Sequence, residues 1–176
     1  MREVILYIAT SLDGYIADEQ GGVDWLGGHG EPEEGEDSYS RFLRTIDTVV
    51  MGWNTYHQVT TQLSPEQWLY EGPHTYVITH RPLPAAPEIT FTAEDPCALI
   101  RRLRREEGKG IWICGGGSVI QPLVREDLID EYYLSIIPTI LGSGIRLFGT
   151  QADQRKLRLT KAETSGGIAQ LIYRRR

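Results

Sequence analysis

Through its first two-thirds the chain alternates short apolar runs with amphipathic segments, and after that it shows runs of alternating polarity with no helix between them. Residues 4–10 are apolar at nearly every position and stop at the turn signal Leu12-Asp13-Gly14, which predicts a strand buried on both faces. Residues 48–51 (ending at Gly52), 75–79 (closed by His80-Arg81-Pro82) and 111–114 predict further strands, with a short one at 89–92. Between them a helix is expected from Asp37 or Ser38 to about Ile46, with Tyr39, Phe42, Leu43 and Ile46 on one face. A short helix follows at 53–59. Asp95-Pro96 opens another, running to about Glu107, with proline in the first turn where its missing N–H costs nothing. A fourth runs from the glycines after Cys114 to about Arg125. Residues 129–137, 156–164 and 168–174 read as strands, the last two joined by Ser165-Gly166-Gly167. The pattern predicts an α/β fold of three layers. A mixed, mostly parallel central sheet carries helices on both faces and an antiparallel C-terminal hairpin.

Residues 18–37 break the periodicity. They contain Gly21-Gly22, Gly27-Gly28 and an acidic run over 31–37, and loops of this length inside a compact domain commonly bind something. Within the loop, Asp24-Trp25-Leu26 is apolar enough to fold inward.

Composition narrows the partners. A chain of 176 residues fits a single domain spanning 1–176, and 40% hydrophobic with 24% charged residues is ordinary for a soluble globular protein. A net charge of -6 argues against nucleic acid as a main partner. Cys97 and Cys114 are too few and too far apart for a zinc site or a disulfide framework, so no metal is expected. No apolar span is long enough for a membrane, and the run at 4–9 reaches Asp13 too soon for a signal peptide. The expected setting is cytoplasmic.

The chemistry is concentrated in Ile113-Cys114-Gly115-Gly116-Gly117-Ser118. A buried strand stops in three glycines and a helix begins at once, so backbone N–H groups at the helix start are offered to an anion. Two familiar phosphate motifs fail here. The third glycine of G-x-G-x-x-G falls on Ile120, and no Gly-Lys-Ser/Thr follows for a P-loop. A hydrolase built on Ser118 fails as well, since no histidine–acid pairing accompanies it.

A different match covers nearly the whole chain. The segments Ile8-Ala9-Thr10-Ser11-Leu12-Asp13-Gly14, Asp24-Trp25-Leu26, Val49-Val50-Met51-Gly52-Trp53-Asn54-Thr55, Val77-Ile78-Thr79-His80-Arg81-Pro82 and Ile113-Cys114-Gly115-Gly116-Gly117-Ser118 occur in order. Together they resemble the dihydrofolate reductase-like superfamily. The stretch Ile137-Pro138-Thr139-Ile140-Leu141-Gly142-Ser143-Gly144 is similar to the C-terminal reductase domain of the bifunctional riboflavin-biosynthesis deaminase-reductase. The deaminase half has no counterpart, because H-x-E paired with P-C-x-x-C does not occur.

The resemblance implies an NADPH-dependent reductase, with NADH as the alternative cofactor, passing a hydride to a small heterocycle or carbonyl. The reductase step on 5-amino-6-(5-phosphoribosylamino)uracil is the leading comparison. Dihydrofolate reduction and a non-catalytic nucleotide-binding module are the alternatives. By the same resemblance Ala9 lines the nicotinamide pocket and Trp25 closes the loop over it. Gly52, Trp53, Asn54 and Thr55 supply one phosphate turn, and Gly115, Gly116, Gly117, Ser118 and Val119 the other, with a cis peptide between Gly115 and Gly116. Relatives commonly carry arginine directly after Met-Gly, where this chain has Trp53. Thr79, His80 and Arg81 fall where the superfamily meets the 2′-phosphate, and Arg81 offers the missing cation. Glu36 and Asp37, just before the first helix, are the nearest acids to the position from which relatives protonate substrate, and Asp37 is the candidate taken. A homodimer through the C-terminal strands is a further implication.

Overall fold

A computed structural model of the chain describes residues 1–27, 29, 38–84, 86–150 and 153–176. In chain order it contains β1 (Val4–Ser11), β2 (Tyr15–Ala17), α1 (Ser38–Leu43), β3 (Ile46–Gly52), α2 (Trp53–Gln58), β4 (His74–Ile78) and β5 (Ile89–Thr92). Then come α3 (Pro96–Leu103), β6 (Gly110–Gly115), α4 (Gly117–Arg125), β7 (Glu131–Ile137), β8 (Ile145–Arg146), β9 (Leu157–Ser165) and β10 (Ile168–Arg175).

Eight strands form one sheet in the order β5-β4-β3-β6-β1-β7-β10-β9. The first six run parallel, and β10 turns antiparallel against β7 and pairs with β9. The expected mixed sheet with its antiparallel C-terminal hairpin is therefore present. Because successive strand side chains point to opposite faces, the sequence sorts itself into two cores. Val4, Leu6, Val50, Ile111 and Ile113 pack under Leu99 and Ile100 of α3 and Ile120 and Leu123 of α4. Ile5, Val49, Met51 and Trp112 face the other side, where Phe42 of α1 seals the layer.

Six residues are too few to hold a helix alone, so α1 depends on that anchor. Phe42 meets Tyr7 edge-on at 4.7 Å between ring centroids and Trp112 at 5.4 Å. Such pairs contribute about 0.5–1.5 kcal/mol beyond the area they bury.

Several boundaries differ from the sequence expectation, each for a local reason. The first helix stops at Leu43 instead of Ile46, because Thr45 turns its N–H (2.8 Å) and its hydroxyl (2.7 Å) onto the Phe42 carbonyl. Ile46 opens β3 and is buried there. The third helix ends at Leu103, its last buried apolar residue; Glu106 and Glu107 have nothing to bury, and Gly108 leaves the helix at φ +149°. The strand expected from Ile129 begins at Glu131. Ser165 ends β9, so the hairpin loop is only Gly166-Gly167, with φ of +54° and +78°, the paired positive values of a type I′ turn. Two features carry no periodicity and escaped the sequence reading: the β2–β8 pair, and a π-helical turn at Val59–Leu63 after α2.

The two ends of the sheet differ. At the end where the parallel strands begin, buried Arg2 pairs with Asp47 and donates to Thr48 Oγ1 (2.6 Å) and the Lys109 carbonyl (2.7 Å). Nearby, Asp130 accepts from the Val4 N–H (3.0 Å) and pairs with Arg104 (3.0 Å) and Arg175 (3.0 Å). The end where the parallel strands finish carries glycines, hydroxyls and the two phosphate-type turns. None of the helices among the described residues is long and apolar enough to cross a membrane.

Candidate functional site

Open α/β sheets bind ligands beyond the carboxyl ends of their strands, where neighbouring connections leave in opposite directions. That point lies between β3 and β6 here. After β3 the chain enters α2, whose Tyr56 joins the Trp112 layer, and after β6 it enters α4, packed on the other face. The strands are in register at Met51 and Gly115, so both turns open side by side.

The two turns interlock. A Cβ on Gly115 would stand 3.3 Å from Thr55 Oγ1, and one on Gly116 3.4 Å from the same atom. On the other side, a Cβ on Gly52 would meet Val119 Cγ2 at 3.4 Å. Gly115 lies at φ +150°, and the Gly115–Gly116 peptide is cis, as the resemblance implied. The glycines thus let protein approach protein closely; a Cβ on Gly117 would likewise meet Ile145 Cγ2 at 3.3 Å. What remains for a ligand is backbone. Val119 and Ile120 both donate to the Gly116 carbonyl, leaving the N–H groups of Gly117 and Ser118 ahead of the helical ladder, and no side chain caps α4. Gly52, at the start of α2, is also without a side-chain cap. An uncapped helix start on a glycine turn, pressed against a second one, suits the phosphates of a nucleotide.

Arg81 comes to the same end of the sheet. Its guanidinium lies 4.8 Å from the centroid of the Trp53 ring, a cation–π stack that orders an exposed side chain. Thr79 holds the turn, accepting the Arg81 N–H at 3.1 Å, while its own N–H ties to Thr92 (2.8 Å). Trp53 and Arg81, singled out separately in the sequence, are brought together. Asn54 and His80 are exposed on the same two turns.

Ala9 is half-buried near the end of β1 and pairs with Ser135 of β7. Trp25 lies in a 3₁₀ turn, Asp24–Leu26, and donates its indole N–H to the Gly22 carbonyl at 3.2 Å within its own loop. That loop is tied down at both ends: Gln58 of α2 donates to the Gly21 carbonyl (3.0 Å), and the His29 carbonyl lies against Gly167 of the β9–β10 turn. Asp37 lies outside the described residues, as does the acidic run 31–37.

Two groups near the cleft have their protonation fixed. Burial pushes the Cys114 thiol up to about 11 even though it hydrogen-bonds the Tyr70 hydroxyl (3.6 Å), so it stays a thiol and not a nucleophilic thiolate at neutral pH. The Ser11 hydroxyl (2.6 Å), with the Gly142 and Leu141 N–H groups, holds the Asp13 carboxyl down to about 2, so it ties loops together and holds no proton to give.

The sequence reading passed over one cluster. Buried Gln170 of β10 donates to Tyr7 Oη (2.6 Å) and Ser135 Oγ (3.4 Å), and Tyr7 Oη also lies 3.3 Å from Ser38 Oγ of α1. The available signal was a polar residue between Ile168 and Ile172 on one phase of the strand, whose first six residues are otherwise apolar.

Comparison with known proteins agrees with this geometry. The RibD C-terminal domain family matches residues 2–171. The uncharacterized protein YwjB of Bacillus subtilis is 42% identical over 98% of this chain and 97% of its own length. A solved structure from Shewanella sp. PV-4, provisionally described as a riboflavin biosynthesis protein, superposes with a TM-score of 0.85 at 30% identity, covering 99% of each chain. The Thermotoga maritima diaminohydroxyphosphoribosylaminopyrimidine deaminase/5-amino-6-(5-phosphoribosylamino)uracil reductase shares the fold, with a TM-score of 0.72 at 18% identity; the match covers 99% of this chain and 57% of that one. With its sheet order, its interlocked turns and this match over nearly its whole length, the chain belongs to the RibD C-terminal domain family, a reductase-like family.

Proposed function

We propose that the protein is an NADPH-dependent oxidoreductase that reduces a small nitrogen heterocycle or a related carbonyl compound, in the manner of the riboflavin-pathway pyrimidine reductases. The observation that carries this reading is the interlock of two uncapped turns through Thr55, Gly115 and Gly116. Bound at these turns, NADPH would supply the hydride equivalent.

The chain's own residues then bind, orient and exclude water. The Gly117 and Ser118 N–H groups, supported by Thr55 and Val119, hold the pyrophosphate. Arg81, ordered on Trp53, faces the 2′-phosphate in place of the arginine missing after Gly52, with Asn54, Thr79 and His80 on the flanking turns. Ala9 leaves room for a flat ring on the floor of the cleft. Trp25, in a loop pinned at Gly21 and His29, covers it. Asp37 is the proposed proton donor.

Titration with NADPH and NADH, followed by tryptophan fluorescence, tests the reading, since Trp53 and Trp25 would both border the bound cofactor. Saturation by NADPH at micromolar concentration with quenching is expected. No response to either nucleotide at millimolar concentration would refute it. Oxidation of NADPH on adding the riboflavin-pathway pyrimidine or dihydrofolate then separates the two substrate classes. Asp37→Asn is expected to lower kcat while leaving NADPH affinity unchanged.

A further inference from the structure

Three arginines lie over aromatic rings: Arg102 over Tyr76 (Cζ 5.8 Å from the ring centroid), Arg81 over Trp53 (4.8 Å) and Arg146 over Tyr15 (4.9 Å). Arg102 is neutralised where it stands, by Glu94 (3.0 Å) and Glu106 (3.0 Å). Arg81 and Arg146 have no carboxylate partner among the described residues, although the chain carries 24 acidic residues against 18 lysines and arginines. A guanidinium held on a ring has already lost part of its rotamer freedom, so meeting an anion costs it less ordering. Both are therefore ordered cations with their charge still to be met.

The fold brings Arg146 to the start of α4 from the side opposite Arg81. In the sheet β6 lies between β3 and β1; Arg81 follows β4, beyond β3, while β2 continues from β1. β8 pairs with β2 at Tyr15↔Arg146 and Ala17↔Ile145, and the Leu147 N–H donates to the Gly14 carbonyl (3.0 Å). This two-stranded ribbon lies along the first turn of α4. A Cβ on Gly117 would meet Ile145 Cγ2 at 3.3 Å and Ile16 Cδ1 at 4.0 Å. Gln121, about one turn or 5.4 Å further along α4, donates its Nε2 to the Arg146 carbonyl at 3.0 Å. Arg146 is exposed on this ribbon, beside the turn that offers the Gly117 and Ser118 N–H groups.

We infer that Arg146 is a second cofactor-binding cation, pairing with the pyrophosphate that NADPH and NADH share, while Arg81 serves the 2′-phosphate alone. The inference rests on the proposed reductase reading and deepens it. One stacked arginine sets how tightly either dinucleotide is held, and the other sets which is preferred. The helix start supplies only the partial charge of its free N–H groups, whereas a guanidinium adds a full charge and paired donors. A dinucleotide with no 2′-phosphate depends on Arg146 as much as NADPH does.

Fluorescence titration of the whole chain with NADPH and with NADH tests this. Arg146→Ala is expected to weaken both nucleotides about ten-fold and leave their ratio unchanged, where Arg81→Ala shifts the ratio. Arg102→Ala, the stacked arginine that already has its carboxylates, is expected to change neither affinity. Melting without nucleotide separates binding from folding: losing an exposed cation–π contact should move Tm by no more than about 4 °C. If Arg146→Ala does not fold, Arg146→Lys and Arg146→Gln carry the test, the lysine variant binding both nucleotides more tightly than the glutamine variant. Unchanged affinity for both nucleotides in the folded Arg146 variants, or a loss confined to NADPH, overturns the inference and leaves the reductase reading standing. A wild type that binds neither nucleotide at millimolar concentration overturns that reading and the inference with it.

Discussion

Replacing Gly115 by alanine separates the two constraints that act on the glycine turn. Gly115 has φ +150°, a region side chains rarely enter, and its new Cβ would approach Thr55 Oγ1 to 3.3 Å. Backbone strain of this kind costs about 1–3 kcal/mol, and the contact adds to it only if Thr55 fails to yield. At this chain length 1 kcal/mol moves Tm by about 2–4 °C, so Gly115→Ala is expected to melt roughly 2–12 °C below wild type. Gly116 is the internal control. It has the same Thr55 Oγ1 at 3.4 Å but sits at φ -88° and ψ -167°, which alanine adopts freely. Gly116→Ala should therefore lose about 1 kcal/mol or less. Thr55→Ala should recover most of the Gly116→Ala loss and little of the Gly115→Ala loss. Urea unfolding of the three single and two double variants measures this. Full rescue of Gly115→Ala by Thr55→Ala would show that contact alone matters and refute the backbone argument.

Three more outcomes can be checked. Arg81→Ala should weaken NADPH binding about ten-fold while sparing NADH, by fluorescence titration, and equal losses would remove its assigned place at the 2′-phosphate. Asp130→Ala should destabilise the protein in urea by about 3–5 kcal/mol, because it leaves Arg104, only 14% exposed, without the carboxylate that receives it, together with an unmet Val4 N–H. Asp13 has a folded pKa of about 2, below the ordinary 3.8, so its stabilising effect is complete above pH 4 and disappears as pH falls through 2. Asp13→Asn should accordingly lower urea stability at pH 7 and match wild type below pH 2; a gap that persists at pH 1.5 would contradict the assignment.

Strand–helix alternation and the two-residue Gly166-Gly167 loop made the sheet and its hairpin legible in the sequence, because they are local and periodic. The ends of helices were not: the first is set by Thr45 closing onto the Phe42 carbonyl, and the third by where burial stops at Leu103. The two glycine turns were legible as turns, while the partner of the glycines was not. Thr55 fills the space that a sequence reading leaves to a ligand. Trp53 looked like a lost cation site until Arg81, 28 positions later, stacked on it. Gln170 was illegible for a different reason. One polar residue inside a strand says nothing about its neighbours until the register brings Ala9, Ser135 and Tyr7 beside it.

The ion pairs of Arg2, Asp47, Arg104, Asp130 and Arg175 all gather where the parallel strands begin, away from the turns that would handle cofactor and substrate. This separation has an evolutionary consequence. Exposed residues on the turns at the other end, such as Asn54, His80 and Arg81, can change without drawing on those ion pairs. A chain built this way is a tolerant starting point for changing specificity, and directed evolution confined to the far end of its sheet should yield a high fraction of folded variants.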